Sequence, residues 1–227
     1  MKKKLWNKDT VLMLQGHAVS VLGDILYSVA IGYWVYEKTG SSALMGIMSS
    51  ISMFMTMLVM PFSGSIIDKC SRKPIIVGMD ALRGVIMLAL GILVFADSLS
   101  VPVVLAAAFL ASACSVFFSP AVSTLMLDII PHDDIVRGQS VFSGVNSFIN
   151  LVGKAVSGAL VALLGVPLII LINGVSYLIS AFSELFITVP KTVHQGEKIT
   201  LRGIFSDFGV AIRETLRNRY LRLFVPS

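Results

Sequence analysis

Between Ser42 and Ile67 the chain places no Asp, Glu, Lys or Arg. At about 1.5 Å of rise per residue, a helix of that length exceeds the roughly 30 Å hydrocarbon thickness of a bilayer. Five further runs share this character. Thr10–Tyr36 is interrupted only by Asp24 among charged residues, and Pro74–Ala96 carries Asp80 and Arg83 early. Ser98–Leu127 is again free of charge, Gly138–Leu164 holds Lys154, and Val166–Thr188 holds Glu184 near its end.

Composition excludes enclosing all this in one aqueous core. Hydrophobic residues are 56% and charged residues 14% of the 227, against roughly 45–50% and 25% in soluble domains. The mean hydropathy is +0.86. The remaining solvent for such a surface is lipid. A membrane β-barrel is disfavoured, because it alternates polarity over about ten residues per strand. The expected fold is therefore an all-α membrane protein with six transmembrane helices. Gly and Pro mark the joints, at Lys38-Thr39-Gly40-Ser41, Lys73-Pro74 and Gly165-Val166-Pro167.

Lys2, Lys3 and Lys4 resemble the start of a secretory leader. The apolar run behind them is too long for one, contains Asp24, and lacks a small-x-small cleavage site. It reads as a retained first span. Fifteen of the 18 Lys and Arg fall on one side of the predicted topology, and Lys38 alone faces the other. That bias places both termini in the cytoplasm of a cell membrane protein. It also explains the net charge of +5 without nucleic acid as a partner. Cys70 and Cys114 have no metal or redox spacing and read as free thiols.

Three segments follow: a cytoplasmic tail over 1–9, a six-helix membrane body over 10–188, and a cytoplasmic linker over 189–227. In the last, Leu201, Ile204, Phe205, Phe208, Ile212 and Leu216 recur at helical spacing, which predicts an amphipathic helix on the membrane surface. The apolar stretch after Tyr220 reads as the start of a seventh span.

The most specific motif is the short loop Gly64-Ser65-Ile66-Ile67-Asp68-Lys69-Cys70-Ser71-Arg72-Lys73. Gly64 is expected to admit a close neighbour as span two ends. Asp68 can cap a helix or pair with a cation, and Lys69, Arg72 and Lys73 hold the loop on the cytoplasmic side; the alternative reading is a positively charged loop that only sets topology. Asp80 and Arg83, at i and i+3, can pair with each other or reach that loop.

This run resembles the loop 2–3 signature of the major facilitator superfamily, Gly-x-x-x-Asp-(Arg/Lys)-x-Gly-(Arg/Lys)-(Arg/Lys). Gly64, Asp68, Lys69, Arg72 and Lys73 match, while Ser71 stands at the second glycine. Ser20-Val21-Leu22-Gly23-Asp24, Ser119-Pro120-Ala121, Gly153-Lys154-Ala155-Val156-Ser157-Gly158 and Asn173-Gly174-Val175-Ser176-Tyr177 resemble the branch of macrolide-efflux and enterobactin-exporter proteins. The resemblance implies two inverted three-helix repeats, forming the N-terminal half of a secondary transporter. It implies a conformational latch at Asp68, with Asp80 and Arg83 as its network. Two positions depart from the family: span four has no arginine, and Lys154 follows Gly153 where the family has proline.

Asp24 lies near the middle of span one, where even mild insertion scales charge about 2.5–3.5 kcal/mol for an Asp, so it is expected to face the bundle interior or a watery cavity. It reads as a proton-titrating or cation-binding carboxylate, or as a structural residue paired to another helix. Asn146, Asn150 and Lys154 share one helical face, and an Asp24–Lys154 pair is expected to offset the desolvation of both. His17 reads as a hydrogen-bonded helix contact or as an imidazole that titrates near neutral pH, and Glu184 as interfacial. The methionines from Met45 to Met60 line a permissive cavity or face lipid. No nucleotide loop, metal-ligand cluster or nucleophile with a base is visible, so no cofactor and no enzymatic step are expected.

The function expected is alternating-access efflux of an amphiphilic small molecule, coupled to protons or cations. The expected partners are the bilayer, the substrate and coupling ion, and either a C-terminal half or a second copy of the chain. The alternatives are a truncated remnant that transports nothing, and a membrane scaffold or assembly partner.

Overall fold

The computed structural model describes residues 6–188, without the side chains of Pro61, Ser65, Asp68, Lys69 and His132. The amphipathic linker helix and the start of a seventh span lie outside the described residues. Within them the chain is α1 (Lys8–Thr39), α2 (Ser42–Lys69), α3 (Arg72–Phe95), α4 (Val101–Ile129), a short 3-10 turn (His132–Asp134) and α5 (Ile135–Glu184). All five long helices are long and apolar enough to cross a membrane.

Helix ends follow their local chemistry. Asn7 caps α1 by accepting from the Thr10 backbone N–H at 2.8 Å, and Gly40 ends it in the left-handed conformation. Ser41 caps α2 in turn. In α5, Gly165 adopts φ 77° and ψ 159°, a region essentially closed to other residues. Pro167 follows, restarting a helix where its missing N–H costs nothing. The two predicted spans over 138–164 and 166–188 are therefore the two arms of α5, 135–164 and 166–184.

Contacts with α1 fix the direction of each arm. His17 bonds Asn146, and Gly153 packs on Leu22 and Ile25 further along α1, so the first arm runs parallel to α1. Gly16 lies against Ser180 and Gly23 against Asn173, so the second arm runs back. The chain reverses at Gly165, so the described residues run the length of the bundle six times. Its two described ends meet, the Thr188 N–H donating to Asp9 Oδ1 at 3.0 Å.

The second arm is seated between α1 and α3 on one face and exposes Ile172, Val175, Ile179 and Phe182 on the other. Small residues make this possible. A Cβ on Gly23 would stand 2.2 Å from Asn173 Oδ1, and one on Gly84 2.7 Å from Leu178. Such seams let backbones approach where no hydrophobic force drives helices together in lipid. Gly153 packs closely, a Cβ there standing 3.2 Å from Ile25, whereas Gly158 has nothing within 4 Å of a Cβ. Gly64 likewise meets nothing within 4 Å, so the close neighbour expected there is absent among the described residues.

Two apolar cores form, one at each end of the bundle. Leu26, Trp34, Leu90, Val104 and Ile170 belong to the first. Met13, Ile76, Phe118, Leu125 and Ile187 belong to the second. Between them α1, α3 and the second arm carry polar side chains: Ser20 and Asp24 on α1, Asp80 and Arg83 on α3, Ser180 and Glu184 on the second arm.

Candidate functional site

Arg83 organises the polar layer. It sits midway along α3 and is 3% exposed, so its guanidinium must be satisfied from within the bundle. Nη2 donates to Asp80 Oδ1 at 2.6 Å. Nη1 donates to the Tyr177 hydroxyl at 3.2 Å and to Ser115 Oγ at 3.4 Å. The rings of Phe118 and Tyr177 flank the guanidinium, their centroids 4.3 and 4.5 Å from Cζ. A planar, delocalised cation suits this slot in a way a lysine ammonium does not.

Asp80 is fully buried and also accepts from Ser20 Oγ at 3.5 Å. Asp24 lies 4.0 Å from Arg83 and accepts a hydrogen bond from Tyr177. Its side chain is 44% exposed, and that exposure opens onto a cavity of about 310 Å³ lined by Tyr27, Ser28, Met45, Ser49, Ser112 and Tyr177 among others. Of the carboxylates gathered around Arg83, Asp24 is the one a solute in the cavity can reach.

Asp24, expected to face the bundle interior or a watery cavity, lines this cavity. The expected Asp24–Lys154 pair is not formed. Leu22 and Ile25 of α1 meet the first arm at Gly153, while Asp24 turns to Arg83 of α3 and Tyr177 of the second arm, and Lys154 is left exposed. Asn146 is engaged by His17 Nε2 at 3.1 Å, as expected of a helix contact. Asn150 donates to the Asn146 carbonyl at 3.0 Å. The methionines divide: Met45 and Met48 line the cavity, whereas Met53 and Met57 are 76% and 81% exposed.

Asp80 and Arg83 belong to the polar layer and make no described bond to the loop before α3. Arg83 lies eleven residues along the helix from Arg72, about 16 Å away. The loop has its own contacts. Arg72 pairs with Asp128 at the end of α4, and Lys73 Nζ donates to the carbonyls of Leu185 and Ile187 at 2.7 and 2.9 Å. The side chains of Asp68 and Lys69 lie outside the described residues.

Two participants escaped the sequence reading. Tyr177 bridges Arg83 and Asp24. Glu184, expected at the interface, is 2% exposed because Gly16 lets α1 close over the second arm. The signal for both was present: Asn173, Tyr177, Ser180 and Glu184 recur at helical spacing along one face of an otherwise apolar span.

Long helices apolar enough to cross a membrane, packed around a polar layer behind a cavity, place the chain among multi-pass membrane proteins. The match to known proteins is more specific. The model of the Major Facilitator Superfamily matches residues 13–226, and the chain belongs to that family. It is 24% identical over 186 residues to macrolide efflux protein A of Streptococcus pyogenes, covering 82% of this chain and 46% of that protein. It is 29% identical over 218 residues to the putative bacilysin exporter BacE of Bacillus subtilis, covering 92% of this chain and 51% of that protein. The chain thus spans about half the length of the curated relatives it matches.

Proposed function

We propose that the chain acts as the six-helix half of a secondary active exporter, moving an amphiphilic small molecule by alternating access, coupled to protons or another cation. The observation that carries this is Asp24, a carboxylate half exposed to a membrane-depth cavity and held from behind by Arg83 and Tyr177. An ionisable group is expensive at that depth, and such groups mark ion and substrate pathways. The efflux and exporter names of the relatives support the direction.

In this reading Asp24 exchanges the coupling ion, and Asn146, Asn150 and Lys154 line the path on the arm 135–164. The substrate lies between this half and a second six-helix unit, as binding sites between repeats do in such transporters. Asp68, with Gly64, Lys69, Arg72 and Lys73, latches the cytoplasmic side, where both termini lie.

The test is energised efflux of a fluorescent amphiphile from cells expressing the gene from its own reading frame. Asp24→Asn is expected to abolish concentrative efflux while the protein still reaches the membrane. Unaltered efflux in that variant overturns the reading. No efflux from the parent protein turns the balance to a remnant or a scaffold.

A further inference from the structure

Glu184 is a buried acid with half its carboxylate unanswered. Oε1 accepts from Ser180 Oγ at 3.3 Å, and Oε2 has no hydrogen-bond partner among the described residues. Ser180 is itself fully buried. The charged neighbours that act on Glu184 are Asp80 and Arg83 of α3. Lys73, on the same helix, spends its ammonium on the carbonyls of Leu185 and Ile187. On α1, Asp9 is taken by the Thr188 N–H, His17 by Asn146, and the surface against Ser180 is Gly16. On α4, Asp128 is held by Arg72.

Counting charge decides what this means. Three carboxylates, Asp24, Asp80 and Glu184, share one buried cation, and Arg83 has given its closest contacts to Asp80 and Tyr177. Fully ionised, the layer would hold two more negative than positive charges, and Glu184, unlike the half-exposed Asp24, is buried where an uncompensated ion is prohibitively costly. A carboxylic acid needs no counter-charge, and it turns an orphaned oxygen into a donor or a neutral acceptor. We propose that Glu184, with Ser180 and Asp80, is an internal proton-binding site, separate from the cavity-facing Asp24 and sealed from the cavity by Arg83.

Proton loss from Glu184 adds a negative charge beside Asp80 and draws Arg83 away from Asp24. Proton gain leaves Arg83 free to face Asp24. The site thereby ties the charge seen by a solute in the cavity to protonation on the cytoplasmic side of the layer. As a coupling device it rests on the transport reading above; as a proton-binding site it stands apart from it.

Infrared spectroscopy of the full chain in lipid nanodiscs, scanned across pH, tests the proton directly. The parent protein is expected to show a protonated-carboxyl stretch at neutral pH that is lost in Glu184→Gln and retained in Asp24→Asn. Absence of the band in the parent, or its persistence in Glu184→Gln, overturns the site. Should Glu184→Gln fail to fold, Ser180→Ala keeps the acid and removes its hydroxyl donor; the band is then expected to shift, and an unshifted band overturns the site. A parent protein that shows the band but no efflux retains the proton site and defeats the transport reading alone.

Discussion

Tyr177 on the second arm of α5 donates to Asp24 of α1 while its hydroxyl oxygen accepts from Arg83 Nη1 at 3.2 Å. One phenol therefore sits between the cation and the cavity-facing carboxylate, which are 4.0 Å apart. Tyr177→Phe keeps the ring stacked on the guanidinium and removes only this bridge. The loss of a hydrogen bond to charged groups costs about 1.5–3 kcal/mol, so the unfolding midpoint in detergent should fall measurably. The pH dependence of efflux should change with it. An unchanged midpoint and an unchanged pH profile would show the bridge to be incidental.

Removing Arg83 should be far worse than removing the bridge. Arg83→Met leaves Asp80 buried beside no cation, and breaking one side of such a pair costs about 3–5 kcal/mol. Asp80→Asn in the same chain removes the stranded charge, so the double variant should recover part of the lost stability. Arg83→Lys should not recover it, because an ammonium cannot reach Asp80, Tyr177 and Ser115 from between two rings. Thermal unfolding of the set separates these outcomes. If the double variant is as unstable as Arg83→Met, charge pairing is not what the residue supplies.

Glycines divide into two sets by what stands opposite them. A Cβ on Gly23 would come within 2.2 Å of Asn173 Oδ1, whereas one on Gly144 meets nothing within 4 Å. Gly23→Ala should therefore force α1 off the second arm and cost about 1–3 kcal/mol, the usual range for overpacking. Gly144→Ala should be neutral or stabilising by about 0.5–1 kcal/mol, through helix propensity. Equal behaviour of the two in a thermal-shift series would remove the seam from the account.

These seams explain what the sequence made legible and what it hid. Apolar runs mark each crossing because the bilayer tests every residue of a span in the same way, and Gly165-Val166-Pro167 marks the reversal through backbone geometry alone. Asp24 was legible for the same reason, since a lone charge in hydrocarbon stands out. Its partner was not. Which face of α1 meets which arm depends on Gly16, Ser20 and Gly23 admitting the second arm closely, and that is a property of two helices together. Spacing along one helix therefore pointed to Lys154, while the fold supplied Arg83 and Tyr177. Glu184 was misplaced by the same blindness: near a span end it looks interfacial until α1 closes over it.

Lys154 is the remaining cation of the predicted site, and its surroundings define a test of what faces the arm 135–164. It is exposed, with exposed Ser143 and Ser147 and half-buried Asn150 on the same side of that arm, while Phe148 is 67% exposed on another side. A lysine held against hydrocarbon near a span's centre costs about 2.5–3.5 kcal/mol even on mild scales. The polar stripe should therefore face water or protein, and the phenylalanine should face lipid. With Cys70 replaced by serine and Cys114 left buried, Lys154→Cys should react with a charged, membrane-impermeant thiol reagent added to open membranes. Phe148→Cys should resist it. Equal labelling at both positions would mean that this arm has no polar front, and that Lys154 reaches the membrane surface by its own length.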